Sequence, residues 1–207
     1  MNRLILGSSS PRRKELLAKA GYSFDIITAD TDETLPTAIG PDDAVRFLAF
    51  KKALAVKKKI LNDPKLSKEY SHKDAVILSS DTVVFLDEIL GKPADKAQCV
   101  EMISKLAGES HKVYTAVALL WVNKAQGKIL TDFTTVEVKP MTEREICNYA
   151  ATKEPYDKAG GYAIQGEFSR YIEGYLGSFD TVMGLPTKLI LEQLPLSLYC
   201  QKVPSDY

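Results

Sequence analysis

Two histidines, one tryptophan and three cysteines are all that the 207-residue chain holds of those three residue types. The cysteines, Cys99, Cys147 and Cys200, are scattered and odd in number. They form neither a disulfide framework nor a zinc spacing, which points to a reducing compartment. His72 and His111 offer no metal-ligand spacing. Net charge is lacking as well, with 27 basic residues against 27 acidic ones. Without a global basic field, a nucleic acid polymer is not an expected partner, and an RNA-binding module is disfavoured for want of a basic stripe. No apolar run approaches the ~20 residues of a membrane span, so no membrane partner is expected. The opening MNRLILGSSS is too short, and of the wrong texture, for a secretory signal. There is no Gly-x-Ser-x-Gly elbow and no P-loop, which removes the commonest serine-hydrolase and nucleotide-binding signatures. The resulting expectation is a cytoplasmic protein.

What is present is an ordinary globular composition, 45% hydrophobic and 26% charged, long enough for one domain with a substantial core. Leu4-Ile5-Leu6 reads as a buried strand. It runs through Gly7 and three serines into a helix that Ser10 can cap and Pro11 can open. Arg12 and Arg13 fall in the first turn, where the helix end is already positive. Hydroxyls, free N–H groups and guanidiniums together suit a phosphate, whereas the plain alternative is two solvated arginines after an ordinary cap.

Further along, Phe24–Ile27 reads as a second strand leading into an acidic loop that contains Asp32 and Glu33. A long helix follows, roughly 42–61, with Val45, Leu48, Ala49, Lys52, Ala55, Val56 and Ile60 on its apolar stripe. Lys52 either snorkels out along its stem or aims a cation into a cleft, while Lys51, Lys57 and Lys58 read as solvated. Residues 62–74 read as an exposed connection. Ala75–Leu78 reads as a central strand ending in Ser79-Ser80-Asp81-Thr82. Asp81 is then either a turn cap or a carboxylate at the end of a buried strand, where α/β proteins place catalytic groups. A hairpin over 83–90 delivers Gly91-Lys92-Pro93. A helix over 95–107, an antiparallel ribbon over 111–138, a helix over 142–151 with a capping box at Thr142 and Glu145, and a last helix near 188–193 complete the pattern. The tail, about 195–207, is weakly patterned. Between them lies a glycine-rich stretch, Tyr156–Gly166, that suggests close backbone approach to a ligand or to another segment.

Each motif is weak alone. Together they make a kit for phosphoryl chemistry: Arg12, Arg13, Lys52 and Lys92 for phosphate oxygens, Glu33 and Asp81 for a cation or a water. Hard oxygen ligands suit Mg²⁺ or Mn²⁺.

In this order and spacing, the segments S-S-S-P-R-R-K-E-L-L (8–17), D-E (32–33), K-K-A (51–53), S-S-D-T-V-V (79–84), G-K-P (91–93), D-K-A-G-G-Y-A-I-Q-G (157–166) and G-L-P (184–186) resemble the Maf family of nucleoside triphosphate pyrophosphatases. They span nearly the whole chain. The resemblance implies an α/β fold of the Maf/ITPase-like kind: an elongated mixed β-sheet flanked by helices, one domain over 1–207 with two lobes and a cleft between them. It implies hydrolysis of a nucleoside triphosphate to the monophosphate and pyrophosphate with a divalent metal, Mg²⁺ or Mn²⁺, held by Glu33 and Asp81. By motif position Asp81 matches the proton acceptor, with Glu33 and Lys92 beside it in catalysis. Arg12, Thr82 and Gln165 match positions that set base preference, and Ser8, Arg13 and Lys52 match further substrate-binding residues. The Gln165-Gly166 form resembles the subgroup acting on dTTP and UTP, with modified pyrimidine triphosphates as an extension. The sister subgroup, which prefers 7-methyl-GTP, has Glu-Gly there. A homodimer is compatible with the resemblance, and the sequence leaves the oligomeric state open. Two departures stand out: Thr181-Val182 where the family often has Asn-Val, and Thr115-Ala116 where it often has Thr-Gly. The competing functional class is a non-catalytic nucleotide-binding regulator of cell division, using the same cradle without hydrolysis.

Overall fold

The first strand, Arg3–Leu6 (β1), has three successive fully buried residues, the mark of a strand covered on both faces. In the computed structural model, which describes residues 2–71 and 74–199, it lies inside a mixed seven-stranded sheet. His72, Cys200 and the tail beyond Tyr199 lie outside the described residues. The remaining strands are Asp25–Ile26 (β2), Ala75–Phe85 (β3), Ile89–Leu90 (β4), Ser110–Trp121 (β5), Gly127–Val138 (β6) and Ile172–Leu176 (β7). Their order is β2-β1-β3-β5-β6-β7, with β4 also paired to β3. The β1 pairings with β2 and β3 are parallel and the others antiparallel.

The helices are Pro11–Lys19 (α1), Pro41–Asn62 (α2), Pro64–Tyr70 (α3), Lys96–Leu106 (α4), Glu143–Ala150 (α5), Phe179–Val182 (α6), Thr187–Gln193 (α7) and Leu196–Tyr199 (α8). On one face of the sheet α2 lays Val45, Ala49, Ala53, Val56 and Ile60 against Ile5, Ile77, Val83, Ala116 and Ala118. On the other face α1, α4, α5 and α7 cover Leu4, Leu6, Val76, Leu78, Val117 and Leu119. The expected cap at Ser10 and the expected capping box at Thr142 and Glu145 are both formed. No helix among the described residues is long and apolar enough to cross a membrane.

Four expectations change. Residues 64–70 are helical: Asp63 caps the N–H groups of Lys65 and Leu66, and Pro64 occupies the first turn. Ala75–Leu78 does not end at Ser79; the strand continues through Asp81 to Phe85, because β5 pairs with it residue by residue from Val76 to Phe85. Lys57 is not merely solvated, since its Nζ donates to the carbonyls of Trp121 and Lys124 and so ties α2 to the β5–β6 turn. Ala53 rather than Ala55 is the fully buried alanine of α2.

That extension of β3 creates the main feature of the fold. β5 fills one edge of β3, so β1 and β4 share the other. β1 reaches only Leu78, with a last bond from Gly7 N–H to the Leu78 carbonyl, and β4 begins opposite Val84. Residues 79–83 therefore have no strand on that edge among the described residues.

The glycine-rich segment packs into place across from this gap. Gly160 (φ 69°) and Gly161 (φ 71°) adopt left-handed backbone, and a Cβ on Gly160 would lie 2.8–3.0 Å from the Val84 side chain. Gly160→Ala should therefore cost about 1–3 kcal/mol in urea-denaturation experiments. Gly91→Ala, where a Cβ would meet nothing within 4 Å, serves as the near-neutral comparison.

Candidate active site

Three chain segments leave strand ends at the gap beside residues 79–83 and converge there. β1 delivers Gly7 to Arg13, β2 delivers the loop carrying Asp32 and Glu33, and β4 delivers Gly91 and Lys92. The segments 157–164 and 182–184 complete a cleft of about 810 Å³, within the size range of small-molecule sites.

Asp81 lies at its centre. Strand parity turns its side chain to the α2 face, where Lys52 Nζ donates to Oδ2 at 3.1 Å. From the other face Arg13 brings an NH2 group to 4.0 Å from Oδ1. Lys52 also pairs with Glu33 at 2.8 Å, and Glu33 with Lys92 at 3.5 Å. The five side chains form a row of alternating charge from the floor of the cleft to its mouth. Arg13, Asp81 and Lys52 retain only 13, 11 and 17% of their side-chain exposure, whereas Glu33 and Lys92 retain 46 and 55%. The deep members need partners because a buried unpaired charge is costly, while the outer pair is screened by water. Burial pushes the Glu33 carboxyl up, but the hydrogen bond and charge of Lys52, followed by Lys92, outweigh it and hold the group below its ordinary value. Burial lowers Arg13 more than the neighbouring Asp81 charge raises it. The adjacent Asp32 turns outward to Thr34 and Lys51; its hydrogen bonds to Thr34, reinforced by Lys51, hold its carboxyl at about 2.

Arg13 is held rigidly. Its Nε donates to the Gly184 carbonyl at 2.9 Å, NH1 to Ser8 Oγ at 3.4 Å and NH2 to Thr82 Oγ1 at 3.4 Å. A guanidinium has five N–H donors, so after these three bonds two remain, one on each terminal nitrogen. Ser8 is buried and also accepts the Ser10 N–H. Arg12, half-buried in the cleft wall, has no ion pair among the described residues; its charge helps to lower the carboxyl of Asp157, on which burial acts the other way and Lys158 acts most strongly downward.

On the opposite side of β3 the cleft wall is apolar, with Val84, Val113, Tyr162, Ile164 and Met183. Thr82 shares this face, and its Oγ1 lies 2.9 Å from Thr115 Oγ1. The structure thus brings together Ser8, Arg12, Arg13, Glu33, Lys52, Asp81, Thr82 and Lys92. It does not bring Gln165 with them. The wall ends at Ile164 and Gln165 is exposed. The cause is local: the Glu154 carboxylate accepts the N–H groups of Glu167 and Phe168, so the chain turns away after Ile164. A Cβ on Gly166 would stand 2.0 Å from that carboxylate. Sequence reading missed Thr115, Tyr162 and Gly184 as parts of the site. Tyr162 was signalled by its place among the glycines, whereas Thr115 and the Gly184 carbonyl owe their positions to tertiary packing alone.

No cluster of three or more metal-ligating side chains occurs among the described residues. The two carboxylates of the row, Glu33 and Asp81, nevertheless meet at one point, both within 3.1 Å of Lys52 Nζ.

The departures noted in the sequence are absorbed by packing. Thr181 is fully buried and its hydroxyl donates to Asp132 at 2.5 Å. Ala116 packs under α2 on the far face.

A family model described as Maf-like protein matches residues 3–195. Among curated proteins, a dTTP/UTP pyrophosphatase of Bacillus anthracis is 40% identical over 197 residues, covering 94% of this chain and 95% of its own. A dTTP/UTP pyrophosphatase of Bacillus cereus gives the same identity and coverage. Among solved structures, the Staphylococcus aureus Ham1 protein is similar at a TM-score of 0.43 and 11% identity, covering 83% of this chain and 93% of that one.

The apolar wall is anchored by a buried pair: His111 Nε2 lies 2.7 Å from the Tyr162 hydroxyl, and His111 Nδ1 has no hydrogen-bond partner among the described residues. Burial lowers His111 to about 4 from an ordinary 6.5. The folded protein thus keeps the ring neutral where the unfolded chain would protonate it. Stability from this group is complete above pH ~6.5 and is lost as pH falls toward ~4, by about 3 kcal/mol in all. Urea midpoints across that range should fall with pH in the wild type and fall less in His111→Asn.

Proposed function

The chain belongs to the Maf-like protein family, and on that premise we propose that it is a nucleoside triphosphate pyrophosphatase that hydrolyses dTTP and UTP to the monophosphate and pyrophosphate. The observation that carries this reading is the row Arg13–Asp81–Lys52–Glu33–Lys92, which sets one deep carboxylate between two cations on the floor of a cleft. Binding alone would need the cations. A buried carboxylate among them opposes an anion and calls for a chemical role.

In this mechanism the triphosphate lies along the Ser8–Arg13 turn. The two uncommitted N–H groups of Arg13 take phosphate oxygens, and Lys52 and Lys92 exchange their carboxylate partners for others. Asp81 orients a water toward the α-phosphorus and accepts its proton as the new P–O bond forms. The bond from the α-phosphorus to the bridging oxygen breaks, and pyrophosphate leaves with the electron pair, its charge neutralised by Lys52 and Lys92. Asp81 then returns its proton to solvent.

Glu33 and Asp81 fit a hard divalent cation, Mg²⁺ or Mn²⁺, because two carboxylates already converge on a single positive charge in the Lys52 ammonium. Such an ion supplies charge neutralisation to phosphate oxygens. At the other end of the substrate, Arg12 and Thr82 face the base. Gln165 stands exposed beyond Ile164, and once the turn after Ile164 moves toward the cleft its amide N–H₂ can donate to O4 of a pyrimidine. The free Cys99 and Cys147 agree with a cytoplasmic setting.

The test is a panel of nucleoside triphosphates with Mg²⁺, scored for pyrophosphate release, together with Asp81→Asn. The variant should lose about 10²–10⁴-fold in turnover, the usual size of a general-base contribution, with dTTP affinity kept within a few-fold. Near-normal turnover of Asp81→Asn refutes the role given to Asp81. Binding without release by the wild type replaces hydrolysis with a regulatory role.

A further inference from the structure

Behind Thr82 runs a short relay of hydrogen bonds whose two ends are chemically fixed. Arg13 NH2 contacts Thr82 Oγ1 at 3.4 Å, Thr82 Oγ1 contacts Thr115 Oγ1 at 2.9 Å, and Thr115 Oγ1 donates to the Thr181 carbonyl at 2.7 Å. A guanidinium can only donate and a carbonyl can only accept. Thr115, fully buried, spends its single hydrogen on the Thr181 carbonyl. The hydrogen between the two threonines must therefore come from Thr82. Only one proton arrangement is left: Arg13 donates to Thr82, Thr82 to Thr115, Thr115 to Thr181. The Thr82 hydroxyl has used its hydrogen and one lone pair, and what it shows to the cleft is a lone pair only.

We propose that Thr115 is a positioning residue for base selection, holding the Thr82 hydroxyl as an obligate acceptor that reads a hydrogen-bond donor on the substrate base. The inference rests on the pyrophosphatase reading above. An acceptor-only group cannot serve phosphate oxygens, which at neutral pH offer it no hydrogen. It fits the far side of the cleft, where Val84 and Val113 sit on the same sheet face as Thr82 and Thr115 and provide a flat apolar wall for a ring. Thymine and uracil carry N3–H, a donor; cytosine presents a bare N3, an acceptor, which would meet Thr82 lone pair to lone pair. A site built for a donor at N3 disfavours a base that presents an acceptor there, because the half-buried Thr82 acceptor is then left facing a lone pair. Thr115 touches no substrate and acts only through Thr82.

The experiment measures kcat/KM for dTTP and dCTP with the wild type, Thr115→Val and Thr115→Ser, and for UTP and N3-methyl-UTP with the wild type. Valine removes the acceptor behind Thr82 and lets that hydroxyl turn and donate. The dTTP:dCTP ratio should fall about tenfold or more in Thr115→Val, the worth of one hydrogen bond, and should stay at the wild-type value in Thr115→Ser. A merely structural role would lower both substrates by one factor and leave the ratio alone, which overturns the proposal. So does a Thr115→Ser variant that shifts the ratio as far as Thr115→Val. The methylated nucleotide needs no variant to fold: N3-methyl-UTP should be at least tenfold poorer than UTP, and equal use of the two overturns the proposal. Wild type that releases pyrophosphate from no triphosphate is a separate result, and it sinks the pyrophosphatase reading along with this one.

Discussion

The site depends on a stretch of strand edge that no other strand covers. β3 runs eleven residues, but β1 stops at Leu78 and β4 starts at Val84. An open edge inside a sheet leaves backbone groups to satisfy, and local side chains do part of this work. Asp81 Oδ1 accepts the N–H of Thr82 at 2.9 Å. The hydroxyls of Ser79 and Ser80 donate to the carbonyls of Gly7 and Gly184, fastening the two segments that border the gap. Gly7 has no room for a side chain, since a Cβ would fall 2.2 Å from Ser79 Oγ. The polar sequence Ser79-Ser80-Asp81-Thr82 is thus what an unpaired strand edge requires and also what the cleft uses.

From that edge the charge arrangement follows. Strand parity sends Asp81 to one face and Thr82 to the other. Lys52 reaches Asp81 from α2 on the first face, and Arg13 reaches both residues from α1 on the second. A chain with no net charge can present phosphate-binding cations only by local placement, and here each deep cation already has a carboxylate or hydroxyl partner before any ligand arrives. In the proposed mechanism ligand binding exchanges partners for these charges and avoids a separate desolvation of bare ones. The outer pair, Glu33 and Lys92, sits in water and can part at little cost.

The sequence made most of this site legible because its residues sit at strand ends and helix starts, places that short motifs mark. Ser8 to Arg13, Glu33, Lys52, Asp81 and Lys92 all meet as their residue types suggested. The length of β3 was not legible, because polar residues after an apolar run look like a strand terminus, and only the partner strand β5 shows otherwise. Asp63-Pro64 carried a cap signal for α3 that the polar surroundings obscured. β7 is an edge strand with Tyr175 and Leu176 exposed, so it lacks the buried alternation by which strands are recognised. Gln165 stands apart because the Glu154 carboxylate, from eleven residues earlier in the chain, dictates where the loop turns.

On the proposed function, sheet geometry also separates two recognition tasks that a nucleotide imposes. Phosphates need donors and positive charge; a base needs a flat apolar surface and one or two directional hydrogen bonds. On the Asp81 side of β3 stand Lys52 and Glu33, and on the Thr82 side stand Val84, Val113, Tyr162 and Met183. Arg13 belongs to both, since its NH2 group lies 4.0 Å from Asp81 on the charged side while it donates to Thr82 on the other. Directional recognition on the apolar side requires a hydroxyl whose hydrogen cannot rotate freely, and a threonine on an open edge would not meet that condition alone. The buried Thr115 behind it, ending on a backbone carbonyl, supplies the condition without any charge. Thr181 fits the same logic: its hydroxyl donates to Asp132, which pairs across the sheet with Thr115, and this holds in place the carbonyl on which the relay ends.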